Sequence, residues 1–146
     1  GNYGWRVMEG THCFDYHKPN DHKASCENSN MVAPIIEYNH CVKFKGKNCD
    51  GINVIGGAVY RGANSAWQGK YFFGDWSMTF GGGSGRLYVA TNNGGKWSHE
   101  RANVTNNKFK TNVLAVLQDL KGNVYALTSG SMGPFGTRDT VYKITP

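Results

Sequence analysis

The sequence predicts an all-β protein whose antiparallel sheets have the size of β-propeller blades. Short runs rich in aromatic and β-branched residues occur at 54–62, 69–76 and 85–90, and clusters of Gly, Asn and Ser bound each run. A fourth run at 95–101 completes a meander of about 45 residues, which is the length of one blade. Long helical periodicity is missing. We therefore predict one complete four-stranded blade.

Three further runs predict a second sheet downstream. Residues 112–119, 122–128 and 140–145 alternate apolar and polar side chains, as half-buried strands do. The sequence Lys121-Gly122-Asn123 between the first two runs favours a hairpin turn, because Gly and Asn tolerate positive φ. This second unit has three strands, so we predict a last blade that lacks its fourth strand.

Two blades are too few for a closed ring, since propellers have typically four to eight. We therefore expect the chain to be the C-terminal part of a larger propeller, or one partner in a ring that another chain completes. The predicted divisions are an irregular, cysteine-bearing segment at 1–53, the complete blade at 54–101 and the three-stranded blade at 102–146. The expected partners are the remaining blades.

Charge and hydropathy exclude two classes of partner. The formal net charge is +6 over 146 residues, and no run approaches the 18 apolar residues of a membrane span. Lys43, Lys45 and Lys47 fall in one loop-like run, which we interpret as solvated surface charge. Nucleic-acid binding is not expected, because basic and aromatic residues are not interleaved on a recognisable module.

Four cysteines fall as two local pairs in segments rich in Gly and Asn. We predict the disulfides Cys13–Cys26 and Cys41–Cys49, each contributing about 3 kcal/mol by limiting the unfolded chain. Two disulfides indicate an extracellular or periplasmic protein. The alternative is a zinc site, although no C-x-x-C spacing is present. Its candidate ligands are His12, Cys13, His17, His22, Cys26, His40 and Cys41.

A glycosylation motif lies between the two predicted sheets. Asn103, Val104 and Thr105 form the N-x-T acceptor sequence, and the residues around it have loop character. In a secreted eukaryotic or archaeal protein Asn103 could carry a glycan.

Six motifs along the chain resemble the glucose/sorbosone dehydrogenase family. They are NYGW at 2–5, EGTHC at 9–13, PIIEYNH at 34–40, IGGAVYRG at 55–62, YFFGD at 71–75 and GRL at 85–87. Members of this family are six-bladed propellers, among them the soluble sugar dehydrogenases that use pyrroloquinoline quinone (PQQ) and the hedgehog-interacting protein. The resemblance implies that the chain is the C-terminal third of such a propeller.

The resemblance also implies a reaction for the complete propeller. In the family's enzymes a His removes the proton of a sugar hydroxyl while hydride passes to PQQ, with Ca²⁺ as a further cofactor. That His lies in an earlier blade, and none of the five His of this chain matches its position. We therefore expect no catalytic residue, and no catalysis, in this chain alone.

Basic side chains of the last blades hold the PQQ carboxylates in those enzymes. The stretch at 106–110 resembles their Asn-Asn-Arg-aromatic-Arg motif, with Lys108 and Lys110 in place of the two Arg. Lys keeps the charge but loses the bidentate fork. Two other family residues differ here, because Ser129 replaces an acidic residue and residues 77–84 replace a Lys.

Asp75 and Arg61 complete the predicted cofactor-binding set with Lys108 and Lys110. Asp75 ends a predicted strand, where it could orient a ligand or bind a cation, or form a turn. Arg61 follows another strand, where it could face the ligand or pair with Asp75 across the sheet. No metal ligand set is predicted for this chain itself.

Two hypotheses from different classes follow. The first is the C-terminal portion of a secreted PQQ-dependent sugar dehydrogenase, an oxidoreductase that acts on aldoses or sorbosone. The second is a non-catalytic extracellular propeller module that binds protein or glycan. Departures from the family's cationic residues favour the second, and the strand motifs are neutral between the two. For the complete protein we predict the dehydrogenase lineage, with the binding module as the alternative.

Overall fold

The computed structural model describes residues 1–19, 21, 23–26, 30–45, 47–104, 110–133 and 136–146. The chain divides into two compact units, Gly1–Glu37 and Tyr38–Pro146. All regular structure in the described residues is β-structure, apart from one 3-10 turn at Ser65–Trp67. The all-β prediction is therefore confirmed. In these same residues, no helix is long and apolar enough to cross a membrane.

The unit Gly1–Glu37 is mostly irregular. Strands β1 (Met8–Glu9) and β2 (His12–Cys13) form a short antiparallel hairpin. The Glu37 side chain stabilises the turn of this hairpin. Its carboxylate accepts hydrogen bonds from the backbone amide (2.7 Å) and the hydroxyl (2.9 Å) of Thr11. The Cys13–Cys26 disulfide crosslinks the second strand to the segment after it.

The first sheet of the unit Tyr38–Pro146 has four antiparallel strands in chain order. They are β3 (Val54–Val59), β4 (Tyr71–Asp75), β5 (Arg86–Asn93) and β6 (Lys96–Arg101). The register places Phe72 opposite Val89 and Phe73 opposite Tyr88, so aromatic and aliphatic side chains alternate between the two faces. This meander agrees with the predicted blade.

The second sheet has three antiparallel strands, β7 (Asn112–Gln118), β8 (Val124–Ser129) and β9 (Asp139–Lys143). The predicted turn between the first two is present, and Gly122 has a φ of +81° there. A side chain at Gly122 would also meet the Arg61 carbonyl carbon at 2.3 Å, so the turn requires Gly for two reasons.

The hydrophobic core lies between these two sheets. Its buried members come from both sheets and from the residue after β3: Tyr60, Phe72, Leu87, Val113, Val116, Val124 and Ala126. The closest approach is made by β7, which contacts β3 more extensively than it contacts β4 or β5. The first strands of the two sheets are thus neighbours, an arrangement compatible with successive propeller blades.

The two ends of the sheets differ in what connects the strands. At the loop end, where β4 finishes, lie 38–45, 47–53, 76–85, the end of β6, the start of β7, the end of β8 and the start of β9. At the hairpin end lie 60–70, 94–95 and 119–123. Backbone hydrogen bonds join the sheets at both ends, from Val113 to Trp76 (3.2 Å) and from Arg61 to Gly122 (3.3 Å).

Candidate functional site

Asp75 lies at the centre of the loop end. Its side chain has no solvent exposure, and it projects from the last residue of β4. The carboxylate accepts hydrogen bonds from four donors: the backbone N–H groups of Ile52, Asn53 and Ser77, and the hydroxyl of Tyr38. Four donors occupy about all the acceptor positions that a carboxylate has. Asp75 therefore anchors the segment before β3 onto the end of β4.

The local chain is shaped around this carboxylate. The bond from the Ser77 amide (3.1 Å) makes an Asx turn, which is the turn-forming role that the sequence left open for Asp75. The carboxylate also lies directly against the Gly51 backbone, where an added Cβ would stand 1.9 Å from its carbon. Only Gly at 51 allows this approach.

Tyr38 closes the anchor from the outer side. Its hydroxyl donates to Asp75 Oδ2 at 2.8 Å. Burial, and then the negative charge of Asp75, raise the pKa of Tyr38 well above its usual range. The phenol therefore stays protonated and remains a donor at all physiological pH values.

An aromatic cluster covers the face of the first sheet that points away from β7. Phe73 stacks on Tyr88 with ring centroids 5.1 Å apart, and His99 meets Tyr88 edge-on at 5.6 Å. Tyr38 lies 5.8 Å from the His99 ring. Burial raises the pKa of Tyr88 to about 12. The cluster packs the loop-end segment against the sheet.

Asp50 lies next to two side chains at the edge of this cluster, His99 and Arg86. Its carboxylate lies 3.4 Å from His99 Nε2 and 3.9 Å from an Arg86 guanidinium nitrogen. Arg86 also donates a hydrogen bond to the Cys49 carbonyl at 3.3 Å, and the Tyr88 hydroxyl donates a hydrogen bond to the Asp50 carbonyl. The sequence analysis missed Asp50 and His99, and no sequence signal joins residues 49 positions apart.

The predicted cofactor-binding residues do not come together. Arg61 follows β3 at the hairpin end, whereas Asp75 and Lys110 lie at the loop end, separated by the length of β4. The alternative in which Arg61 pairs with Asp75 across the sheet is wrong, because β3 runs antiparallel to β4. Lys110 is exposed immediately before β7, and Lys108 lies outside the described residues.

Among the described residues, these placements leave the predicted cations at opposite ends of the sheets. A tricarboxylate needs several cationic partners on one surface, and within the described ranges Lys110 is the one predicted cation at the loop end. Asp75 would have to give up its backbone hydrogen bonds to reach a ligand or Ca²⁺. In the part of the chain that the structure describes, no group of three or more potential ligands could hold a metal ion.

Both predicted disulfides are present, Cys13–Cys26 and Cys41–Cys49. The cysteines cannot be zinc ligands as the alternative hypothesis supposed, because all four form disulfides and leave no thiolate. His22, another of its candidate ligands, lies outside the described residues. Asn103, the predicted glycosylation site, is exposed after β6. Thr105 of the same N-x-T motif lies outside the described residues.

Two curated plant proteins are similar to part of this chain. The HIPL2 protein of Arabidopsis thaliana is 36% identical over 76 residues, which are 51% of this chain and 10% of HIPL2. The HIPL1 protein of the same plant is 34% identical over 77 residues, which are 51% of this chain and 11% of HIPL1. The chain thus spans about a tenth of the length of these curated relatives.

No family model matches the chain, and no solved structure matches it. The similarity to HIPL1 and HIPL2 is consistent with the resemblance to a HIP-like, sugar dehydrogenase-like family, over half of the chain. The two disulfides fit an extracellular protein.

Proposed function

We propose that this chain supplies two neighbouring blades of a non-catalytic extracellular propeller module of the HIP-like, sugar dehydrogenase-like family, and that the module binds a protein or glycan. The observation that carries the proposal is the packing of β7 against β3. Sheets that radiate from a common axis bring their first strands closest together, as successive blades do.

The second sheet supports the need for further blades. Every residue of β9 is exposed, and among the described residues no strand pairs with its outer edge, which could therefore accept a fourth strand. Leu117 and Val141, on the face away from the core, are 51% and 64% exposed. Another blade packed on this face would bury them, as the first sheet buries Val113 and Val116 on the opposite face.

The loop end supports binding more than redox chemistry. The carboxylate of Asp75 already accepts structural hydrogen bonds and has no acceptor position left for a ligand. Arg61 lies at the other end of the sheets. The loop end nevertheless displays cationic and aromatic side chains on long connections, which is where β-sheet scaffolds carry their binding residues.

A redox assay on the complete protein tests the non-catalytic proposal. The protein that contains this chain is incubated with PQQ and Ca²⁺, and dye reduction is followed with a panel of aldoses. We expect no sugar-dependent reduction, with a soluble PQQ glucose dehydrogenase as the positive control. Sugar-dependent turnover of the dye would overturn the proposal.

A PQQ-dependent sugar dehydrogenase is the second candidate, favoured by the exposed Lys110 at the loop end. Lys110, together with Lys108 of the undescribed stretch, would hold a carboxylate of PQQ, and the bound quinone would supply the hydride acceptor for sugar oxidation. Lys108→Ala or Lys110→Ala should then weaken PQQ binding about tenfold, since a charge-assisted contact contributes roughly 1.5 to 3 kcal/mol. Unchanged affinity in both variants would remove these lysines from any quinone site.

A further inference from the structure

A short loop closed by the Cys41–Cys49 disulfide carries a concentration of positive charge. Lys43, Lys45 and Lys47 alternate along it and are exposed. Its sequence contains no acidic residue. We call residues 42–48, apart from the undescribed Gly46, the lysine loop.

A disulfide and several hydrogen bonds order the described part of the lysine loop. The backbone N–H of Lys45 donates to Val42 O (3.3 Å), and that of Lys47 donates to Phe44 O (3.0 Å). Asn39 clamps the base of the loop by donating its side-chain amide to Asn48 O at 3.0 Å. A preordered loop presents its lysines with little backbone entropy left to lose on binding.

The acidic residues nearest to the loop have contacts of their own. Asp50 follows the loop, and its carboxylate lies 3.4 Å from His99 Nε2 and 3.9 Å from Arg86. The carboxylate of Asp75 is buried under its four donors. The loop itself contributes three exposed lysines and no acidic side chain.

Two exposed aromatic side chains lie in the loop or near its base. Phe44, within the lysine loop, is 40% exposed, and Phe80, on the connection between β4 and β5, is 66% exposed. The Phe80 ring lies 6.5 Å from that of His40, which precedes the disulfide. Cys41 Sγ also approaches Met78 Sδ at 3.7 Å, so this connection lies against the base of the loop.

We infer that this surface binds an acidic polysaccharide, through the lysines of the loop and the exposed face of Phe80. The inference rests on the proposed binding function and names its ligand class. Lys presents a hydrated point charge that suits the repeating sulfates or carboxylates of a polymer. Aromatic faces pack on the apolar faces of sugar rings. The two disulfides fit an extracellular setting, where the abundant polyanions are glycans.

Retention on immobilised glycans tests the inference. The complete, oxidised protein is applied to heparin, which bears sulfates, to polygalacturonate, which bears carboxylates, and to neutral dextran. We expect retention on at least one acidic polymer, elution by NaCl, and no retention on dextran, because screening weakens contacts between exposed charges. Absence of retention on both acidic polymers would overturn the inference.

The variant Lys43→Gln/Lys45→Gln/Lys47→Gln locates the site. Its affinity should fall about tenfold, since three exposed ion pairs of ordinary strength together reach that factor. Unchanged affinity would overturn the assignment to the lysine loop.

The matched control, Lys96→Gln/Lys121→Gln/Lys143→Gln, removes the same charge at the hairpin end. Its affinity should stay within about twofold of the parent protein, because distant exposed charges are screened. An equal loss in this control would show a net-charge effect and overturn the site.

Phe80→Ser separates glycan recognition from general polyanion binding. We expect it to weaken retention on the acidic glycan severalfold while leaving binding of duplex DNA unchanged. Unchanged retention on the acidic glycan, or equal weakening of glycan and DNA binding, would overturn the glycan assignment. A preference for DNA over both glycans would overturn it as well. The redox assay is independent, so sugar-dependent dye reduction would refute the non-catalytic function without touching this site.

Discussion

At the scale of single residues, Asp75 determines how the loop end is held. Its carboxylate accepts from Ile52 and Asn53 of the preceding segment, and it is fully buried. Asp75→Asn should lower the free energy of unfolding by roughly 3 kcal/mol, because an amide turns donor groups toward backbone N–H groups. Urea denaturation of the oxidised protein measures the change.

Two further variants define that result. Asp139→Asn, at an exposed strand start, is the control and should be within about 0.5 kcal/mol of the parent. Tyr38→Phe removes one donor from Asp75 and should cost about 1 kcal/mol. Equal stability of Asp75→Asn and Asp139→Asn would contradict the anchoring role.

Gly51 gives a steric test of the same contact. A Cβ at this position would stand 1.9 Å from the Asp75 carboxylate carbon, whereas a Cβ at Gly56 meets nothing within 4 Å. Gly51→Ala should therefore abolish folding or displace the segment, and Gly56→Ala should be tolerated. Secretion yield and proteolytic resistance of the two variants provide the measurement, and similar behaviour would argue against the close approach.

The sequence predicted Asp75 at a strand end but could not predict its partners. Tyr38 and Ile52 lie 37 and 23 residues away, in a segment without periodicity. The position of Arg61 was predictable only in part. The sequence placed it directly after β3, but the end of the sheet at which it lies depends on the direction of the strand.

At the scale of elements, Asp119 organises the hairpin between β7 and β8. Its side chain accepts from the Asn123 amide and side chain (both 2.9 Å), and from Tyr125 Oη (3.1 Å). These hydrogen bonds, led by that of Asn123, lower the pKa of Asp119 to about 2 from 3.8. The ionised form is thus favoured in the folded state.

This depressed pKa predicts a loss of stability in acid. The contribution of Asp119 is fully present above a pH of about 4 and is lost as the pH falls to about 2, because the unfolded carboxylate then binds a proton more readily. Asp119→Asn should flatten this part of the pH dependence. Urea midpoints measured between pH 5 and 2 would contradict the assignment if both proteins changed in parallel.

The strands themselves were the most predictable elements. Alternation and bounding Gly residues located β3 to β9 closely, because a half-buried strand repeats its burial every second residue. The segment 38–53 was not predictable beyond its disulfide, since contacts with β4 and β5 hold it in place and not local propensity. The lysine loop and Phe80 were visible only as separate exposed residues.

At the scale of the whole molecule, the second sheet buries one face against the first sheet and leaves its other face open. The four-stranded sheet covers Val113 and Val116 of the second sheet. Leu117 and Val141, on the opposite face of the second sheet, remain exposed. Similarity covers half of this chain and about a tenth of each HIPL protein. The ring that would cover the open face is therefore a proposal with direct consequences for stability.

The isolated chain should not fold as a stable monomer. Its open β9 edge and the exposed Leu117 and Val141 form a surface that favours association. We expect aggregation, or melting without a cooperative transition, when the chain is separated from its neighbouring blades. A monodisperse monomer with a sharp two-state transition would contradict the ring proposal.

Substitutions on the open face give the decisive comparison. Leu117→Ser/Val141→Ser should make the isolated chain more soluble and weaken its association with the remaining blades, because both effects depend on the same apolar contact. Leu120→Ser is the control, since this fully exposed leucine lies in the hairpin turn and outside the sheet face. Size-exclusion chromatography and co-purification of the two parts measure the outcome. If Leu120→Ser and the double variant changed association equally, the face would not be the contact between blades.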